Sequence, residues 1–205
     1  MSTRYSGDRV RRGLLHFALG KAVSATCGFL AMVLVVRALP VEQFADYSIL
    51  VALIEVVTAI SGFGISHALL RYVPELYAKH YTSALRQFVL WTILLRSAAL
   101  LLVVLIVYVT SSASAPFLGL SEALDAFKVY LLVVVFRIAS HFLSQILEST
   151  LHQSIAQLGF SVASVLRLLG MLYLINQGDV QLVEIIWVEV VSDAACMLIM
   201  LAGVG

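Results

Sequence analysis

The chain has 205 residues, of which 61% are hydrophobic and 12% are charged, and its formal net charge at pH 7 is +1. Its mean hydropathy is +1.01. Soluble domains carry about 25% charged residues, so this composition excludes an ordinary soluble domain and indicates a membrane protein. A nucleic-acid-binding protein would carry a clustered basic surface, which this charge balance does not indicate, and we expect no nucleic-acid partner.

The N-terminal segment 1–13 is basic and precedes the first long apolar run. It contains Arg4, Arg9, Arg11 and Arg12. The run that follows is too long for the apolar region of a signal peptide and has no small-residue cleavage site after it. We therefore predict that 1–13 is a cytoplasmic basic segment and that the run remains as a membrane anchor.

Six apolar runs are each long enough to cross a bilayer as a helix, which takes about 20 residues. The runs cover roughly 14–36, 44–65, 88–109, 127–147, 157–175 and 182–202. Backbone groups in lipid must be satisfied within the spanning structure, and runs of this length without strict alternation favour helices over a barrel. The predicted fold is an all-α integral membrane protein, with 14–205 forming one lobe of six transmembrane helices.

The longest connection, around residues 67–87, mixes aromatic and basic residues in a pattern typical of a short helix lying at the membrane surface. Pro40, Pro74 and Pro116 all fall between the apolar runs, and we expect Pro74 to begin a new element.

The basic residues of the short loops predict the orientation. Arg71, Lys79 and Arg86 lie between the second and third runs, whereas the loops after the third and fifth runs carry no lysine or arginine. Segment 1–13 and the second connection must lie on the same side, which the positive-inside rule assigns to the cytoplasm. Both termini are therefore predicted to be cytoplasmic.

Two neighbouring stretches, RALPVEQFADY and GFGISHALLRYVPE, carry a family resemblance. In the first stretch the matching residues are Arg37, Leu39, Pro40, Glu42, Phe44 and Tyr47. The pattern resembles the start of polysaccharide biosynthesis membrane proteins of the O-antigen flippase type. These belong to an exporter superfamily that includes multidrug and toxin extruders and the peptidoglycan-precursor flippase. The resemblance is strongest over residues 10–80.

This resemblance implies a protein of the bacterial inner membrane built from two six-helix lobes. Such a protein moves an undecaprenyl-diphosphate-linked oligosaccharide from the inner to the outer leaflet by alternating access. The six helices of this chain correspond to the N-terminal lobe, so the resemblance also implies a partner, either a second six-helix lobe or a second copy. A drug or cation exporter of the same superfamily is an alternative.

Several charged residues fall near the middle of predicted helices, where a charge costs at least about 2.5 to 3.5 kcal/mol if it faces lipid. These residues are Glu55, Arg96, Arg137, Arg167, Glu189 and Asp193. The fourth predicted helix also carries a polar stripe within an arc of about 60° at helical spacing. The stripe consists of Tyr130, Arg137, His141, Ser144 and Glu148.

Two interpretations of these residues remain open. In the first, they line a water-filled lumen that binds a diphosphate or an acidic sugar, because the guanidinium fork matches phosphate oxygens. The candidates for substrate binding are Arg96, Arg137, Arg167, His141 and Tyr130. In the second, the central arginines pair with carboxylates. The candidates for charge pairing or ion coupling are Glu55, Glu148, Glu189 and Asp193.

The sequence contains no motif typical of an enzyme, such as HExxH, a glycine-rich phosphate loop or a nucleophile elbow. Cys27 and Cys196 are far apart and lack the spacing of a metal site. We predict no catalytic residues, no metal and no cofactor. An integral-membrane enzyme of polysaccharide assembly and an assembly subunit without a transport path are the alternatives to a transporter.

Overall fold

A computed structural model describes residues 7–62, 65–79, 81–114, 120, 123–149 and 152–204. These residues form seven helices and no strand. The helices are α1 (Gly7–Ala38), α2 (Val41–Gly62), α3 (Ile65–Ala78), α4 (Thr82–Ser114), α5 (Leu124–Ser149), α6 (Gln153–Gln177) and α7 (Leu182–Val204).

Within the described residues, every helix except α3 is long and apolar enough to cross a membrane. This confirms the predicted all-α membrane fold with six spanning helices. Most of the helices extend beyond the predicted runs: the third run, 88–109, lies inside α4, which covers Thr82–Ser114. The difference arises because apolar runs mark only the hydrocarbon layer, whereas helical hydrogen bonding continues into the polar interface.

The short helix α3 has 14 residues and is too short to span a bilayer. Leu69 and Val73 are buried against α4 and α5, while Arg71 and Tyr72 are exposed. The expectation that Pro74 begins a new element is wrong, because α3 already begins at Ile65 and continues through Pro74 to Ala78. A proline inside a helix frees one backbone carbonyl, which water can satisfy at a membrane surface.

The spanning helices pack around α5 and α7, which lie against each other at the centre of the lobe. α6 packs on α7, α1 packs along α6, and α2 lies against α4, α5 and α7. Small residues allow close approach at two of these contacts. A Cβ on Gly20 of α1 would lie 2.7 Å from the Gln157 Cβ of α6, and one on Gly170 of α6 would lie 2.5 Å from a Val188 methyl of α7.

Helix α1 packs along α6 rather than along α2, the helix that follows it in sequence. A groove therefore runs between α1 on one side and α2 and α5 on the other, with α6 and α7 contributing to its floor. The polar residues of the lobe meet in this groove.

Candidate functional site

Two arginines and two carboxylates from three helices meet halfway through the lobe. Arg137 Nε of α5 donates a hydrogen bond to Asp193 Oδ2 at 2.9 Å, and its Nη2 donates to Glu189 Oε2 at 3.1 Å. Arg167 Nη2 of α6 donates to Asp193 Oδ1 at 2.9 Å, and its Nε lies 3.9 Å from Glu189 Oε1. Each arginine therefore bridges both carboxylates of α7. We call these four residues the ionic cluster.

The local sequence explains how the cluster forms. Glu189 and Asp193 are one helical turn apart, so both carboxylates leave the same face of α7. Arg137 and Arg167 each lie near the middle of their helices, which places their guanidinium groups at the depth of those carboxylates. Tyr47 of α2 adds a fourth helix to the site, because its hydroxyl donates a 2.6 Å hydrogen bond to Glu189 Oε1.

The cluster is layered, with the carboxylates beneath the arginines. The side chains of Glu189 and Asp193 are 2% and 8% exposed, whereas those of Arg137 and Arg167 are 20% and 21% exposed. Two positive and two negative charges balance, which offsets the desolvation that makes an unpaired buried charge so costly. The guanidinium groups form the surface that faces the groove.

A larger polar cavity of about 540 Å³ opens beside the cluster, toward the N-terminal end of α1. We call it the polar cleft. It is lined by Phe17, Lys21 and Ser24 of α1, Arg137, His141, Ser144, Gln145 and Glu148 of α5, Gln157, Phe160, Ala163, Ser164 and Arg167 of α6, and Asp193 of α7.

A smaller cavity of about 270 Å³ lies on the other side of the cluster, toward the end of α1 that leads into α2. We call it the apolar-walled cavity. It is lined by Gly28, Ala31, Met32 and Val35 of α1, Tyr47, Ser48 and Val51 of α2, and Arg137, Arg167 and Glu189. Arg137 and Arg167 line both cavities, so the ionic cluster separates them.

Several residues predicted as site candidates are brought together. Arg137, His141 and Glu148 line one wall of the polar cleft, as expected for a stripe at helical spacing on α5. The predicted pairing of central charges is present for Arg137 and Arg167 with Glu189 and Asp193. Pairing leaves open whether the same arginines also bind a substrate.

Other candidates lie elsewhere. Tyr130 is fully buried in the core and lines neither cavity, although the stripe arithmetic grouped it with Arg137. Arg96 is 4% exposed and lies on α4 with its guanidinium carbon 4.9 Å from the centroid of the Phe142 ring, away from both cavities. Glu55 is exposed on α2 and does not join the ionic cluster.

The polar residues of the site that were not among the sequence candidates include Tyr47, Gln145, Gln157 and Lys21. The sequence carried a signal for Gln157, because Gln157, Ser161, Ser164 and Arg167 fall within an arc of about 120° on α6 at helical spacing. Tyr47 lies about 80° to 100° around α2 from Ser48 and Glu55 at 100° per residue, so it falls outside the polar face of α2, and helical spacing did not connect it with the other charges.

Among the residues that the structure describes, no group of three or more histidine, cysteine, aspartate and glutamate side chains could hold a metal ion. Comparisons with protein-family models, with curated proteins and with solved structures found no match.

Proposed function

We propose that this chain forms a lobe of a transporter that moves a lipid-linked oligosaccharide across the bacterial inner membrane. The observation that carries the proposal is the position of Arg137 and Arg167, which separate two cavities opening toward opposite ends of the helices. Secondary transporters bind their substrate near the bilayer midplane and expose the site to each side in turn. An arginine pair between two cavities fits such a site.

The exposed face of the cluster suits a diphosphate. A guanidinium has five N–H donors, and the bonds from Arg137 and Arg167 to the buried carboxylates use only some of them. The remaining donors of each fork match the spacing of phosphate oxygens. Charge pairing and substrate binding are therefore compatible, since the carboxylates hold the arginines from below while the groove side stays open to an anion.

The proposal requires a partner that covers the groove. His141 and Glu55 are exposed on the lobe, and Lys21 is exposed at the mouth of the polar cleft. Charged side chains at these depths are costly when they face lipid, so they face protein or water. A second six-helix lobe or a second copy of this chain would supply the opposite wall and the element against which this lobe moves.

Binding of farnesyl diphosphate to the purified chain in lipid nanodiscs tests the site. We expect saturable binding that exceeds binding of farnesol, and Arg137→Lys should weaken it by about tenfold because the bidentate fork is lost. Arg96→Lys is the matched control, because Arg96 lines neither cavity, and it should bind like the unchanged chain. Equal loss in both variants, or no binding beyond farnesol, would argue against the site.

Transport itself requires a second measurement. The chain is reconstituted in vesicles, and movement of a fluorescent polyprenyl-diphosphate saccharide is followed by quenching from outside, alongside the mass of the assembly in detergent. We expect flipping only from assemblies larger than one chain. A monomer that flips the lipid would contradict the partner requirement, and an assembly that binds farnesyl diphosphate without flipping the saccharide would contradict transport.

The proposed orientation places both termini in the cytoplasm, on the basis of the basic residues before α1 and around α3. Reporter fusions after Gly7, near Lys79 and near Ser114 test this. At the first two sites we expect activity from a reporter that works only in the cytoplasm. At the third site we expect activity from a reporter that works only outside the cytoplasm. Activity of the external reporter at either of the first two sites would contradict the predicted orientation.

A further inference from the structure

We propose that the polar cleft binds the sugar end of the substrate and selects an uncharged, hydroxyl-rich saccharide over an acidic one. This inference rests on the proposed function, which assigns the diphosphate to the arginines and leaves the content of the cleft open. It is carried by the hydrogen-bonding groups and the charge balance of the cleft lining.

Two buried amide oxygens in the cleft lack a donor. Gln157 of α6 is 3% exposed and Gln145 of α5 is partly buried, yet the Oε1 atom of each accepts no hydrogen bond from the residues that the structure describes. Both residues line the polar cleft. A buried carbonyl oxygen without a partner is costly, and in a side chain that lines a cavity it favours a ligand or water that donates to it when the amide turns toward the cleft.

The serines of the cleft add acceptors of the same kind. Ser144 Oγ donates to the carbonyl of His141 at 2.8 Å, and Ser164 Oγ donates to the carbonyl of Phe160 at 2.9 Å. Each hydroxyl has one proton and two lone pairs, so a serine that donates to its own helix offers only acceptor capacity to the cleft. The two serines and the two amide oxygens therefore offer acceptors to the cleft, and a complementary ligand supplies donors, as sugar hydroxyl groups do.

An aromatic surface completes the cleft. Phe160 and Phe17 both line it, and the His141 ring lies against Phe160 with the ring centroids 5.3 Å apart. The face of an aromatic ring is electron-rich, and the C–H groups on one face of a pyranose ring are weakly positive and apolar. The acceptors on α5 and α6 can accept hydrogen bonds from sugar hydroxyl groups, and the Phe160 ring can pack against the C–H groups of the same sugar.

The charge balance disfavours an acidic sugar. In the proposed function the diphosphate occupies the remaining donors of Arg137 and Arg167, whose other donors are paired with Asp193 and Glu189. A carboxylate on the sugar would find Lys21 as the cleft cation outside the ionic cluster, and it would share the cleft with Glu148. Like charges in a low-dielectric cavity repel strongly.

The test compares three probes on the purified full chain in nanodiscs: farnesyl diphosphate, the same lipid carrying N-acetylglucosamine, and the same lipid carrying glucuronic acid. We expect the neutral sugar to raise affinity by about tenfold over farnesyl diphosphate, which corresponds to one or two net hydrogen bonds. The acidic sugar should bind no better than farnesyl diphosphate.

Gln145→Met and Gln157→Met keep the length of the side chain and remove its amide. Each should lower the gain from the neutral sugar by about three- to tenfold, measured relative to the farnesyl diphosphate binding of the same variant. Gln177→Met is the matched control, because Gln177 is exposed at the end of α6 outside the cleft. Thermal unfolding of each variant checks that it is folded. The comparison of the neutral with the acidic sugar uses the unchanged chain, so it tests the proposal even if a variant does not fold.

The outcomes separate the two proposals. If farnesyl diphosphate does not bind, the proposed function fails. If it binds but the neutral sugar adds no affinity, or the acidic sugar binds more tightly than the neutral one, the selection proposed here is overturned while the diphosphate site stands. Unchanged sugar binding in both glutamine variants would likewise overturn it.

Discussion

The lobe contains two regions in which cations meet carboxylates at similar distances but in different surroundings. In the ionic cluster, Arg137 and Arg167 hold Asp193 at 2.9 Å within the membrane core. At the C-terminal end of α3, Lys79 Nζ lies 2.6 Å from Glu75 Oε1, with the two side chains 55% and 50% exposed. The shorter contact belongs to the exposed pair.

The difference shows that distance alone does not measure what an ion pair contributes. Water and salt screen the exposed pair, and holding two long side chains together costs conformational entropy, so such pairs contribute little to stability in general. In the cluster each charge has lost most of its water and depends on its partners. Removing one partner there leaves an uncompensated charge in a dry environment.

Removal of a cluster carboxylate should therefore have the largest effect. Asp193→Ala takes the hydrogen-bond acceptor from both Arg137 and Arg167 and leaves a net positive charge at the bilayer centre. We expect a loss of about 3 to 5 kcal/mol in the free energy of unfolding, measured by denaturant titration in mixed micelles and by the amount of folded protein in membranes.

Two further variants test this assignment. Glu55→Ala removes a carboxylate that is exposed on α2 and should have little effect. Arg167→Leu combined with Asp193→Leu removes one charge of each sign and should recover part of the stability lost in Asp193→Ala, because interacting residues are not additive. If Asp193→Ala is no more damaging than Glu55→Ala, the buried cluster does not hold the helices together.

The hydrogen bond from Tyr47 to Glu189 should rank second. Tyr47→Phe keeps the ring and removes the only atom that reaches the carboxylate, and bonds to charged groups contribute about 1.5 to 3 kcal/mol. The loss should appear as a lower unfolding temperature. Tyr173→Phe, at an exposed site on α6, is the matched control and should be neutral. Equal effects would mean that the 2.6 Å contact adds nothing specific.

Arg96 provides an intermediate case, a buried cation that packs on the Phe142 ring. Arg96→Lys keeps a positive charge near the ring and should cost about 1 kcal/mol, within the range of cation–π contacts. Arg137→Lys should cost more than Arg96→Lys, since an ammonium cannot bridge two carboxylates as a planar fork does. Unfolding in mixed micelles compares the two, and equal losses would remove the distinction between them.

The sequence predicted the spanning helices because the hydrocarbon layer imposes both their length and their composition. It also predicted that Arg137, His141 and Glu148 share a face, and that Glu189 and Asp193 lie one turn apart, since both follow from helical spacing. It could not assign partners to the arginines, because Arg96, Arg137 and Arg167 all lie at mid-helix. Only the packing of α6 and α5 on α7, with α4 farther out, separates the two arginines of the ionic cluster from Arg96, which packs on Phe142.

Packing between helices also explains the misplaced and missed residues. Tyr130 lies on the predicted stripe of α5 but at the part of the helix that the core covers, whereas His141 lies where the groove is open. A stripe predicts which residues share one face of a helix, but it does not predict which of those residues a neighbouring helix buries. Predicting Tyr47 as a site residue required knowing that α2 contacts α7, and no pattern within α2 gives that information.

The smallest effect on stability is expected when the exposed ion pair between Glu75 and Lys79, at the end of α3, is broken. The hydrogen bond and charge of Lys79 hold the pKa of Glu75 below its ordinary value. A carboxyl group whose pKa is lowered in the folded state contributes stability above its unfolded pKa and loses it as the pH falls through the lowered value. Lys79→Ala should return the Glu75 pKa toward the ordinary value, which NMR titration of the labelled carboxyl carbon measures. At neutral pH the unfolding temperature should stay within error, because solvent screens this pair. A loss as large as that of Asp193→Ala would show that burial is not what distinguishes the two regions.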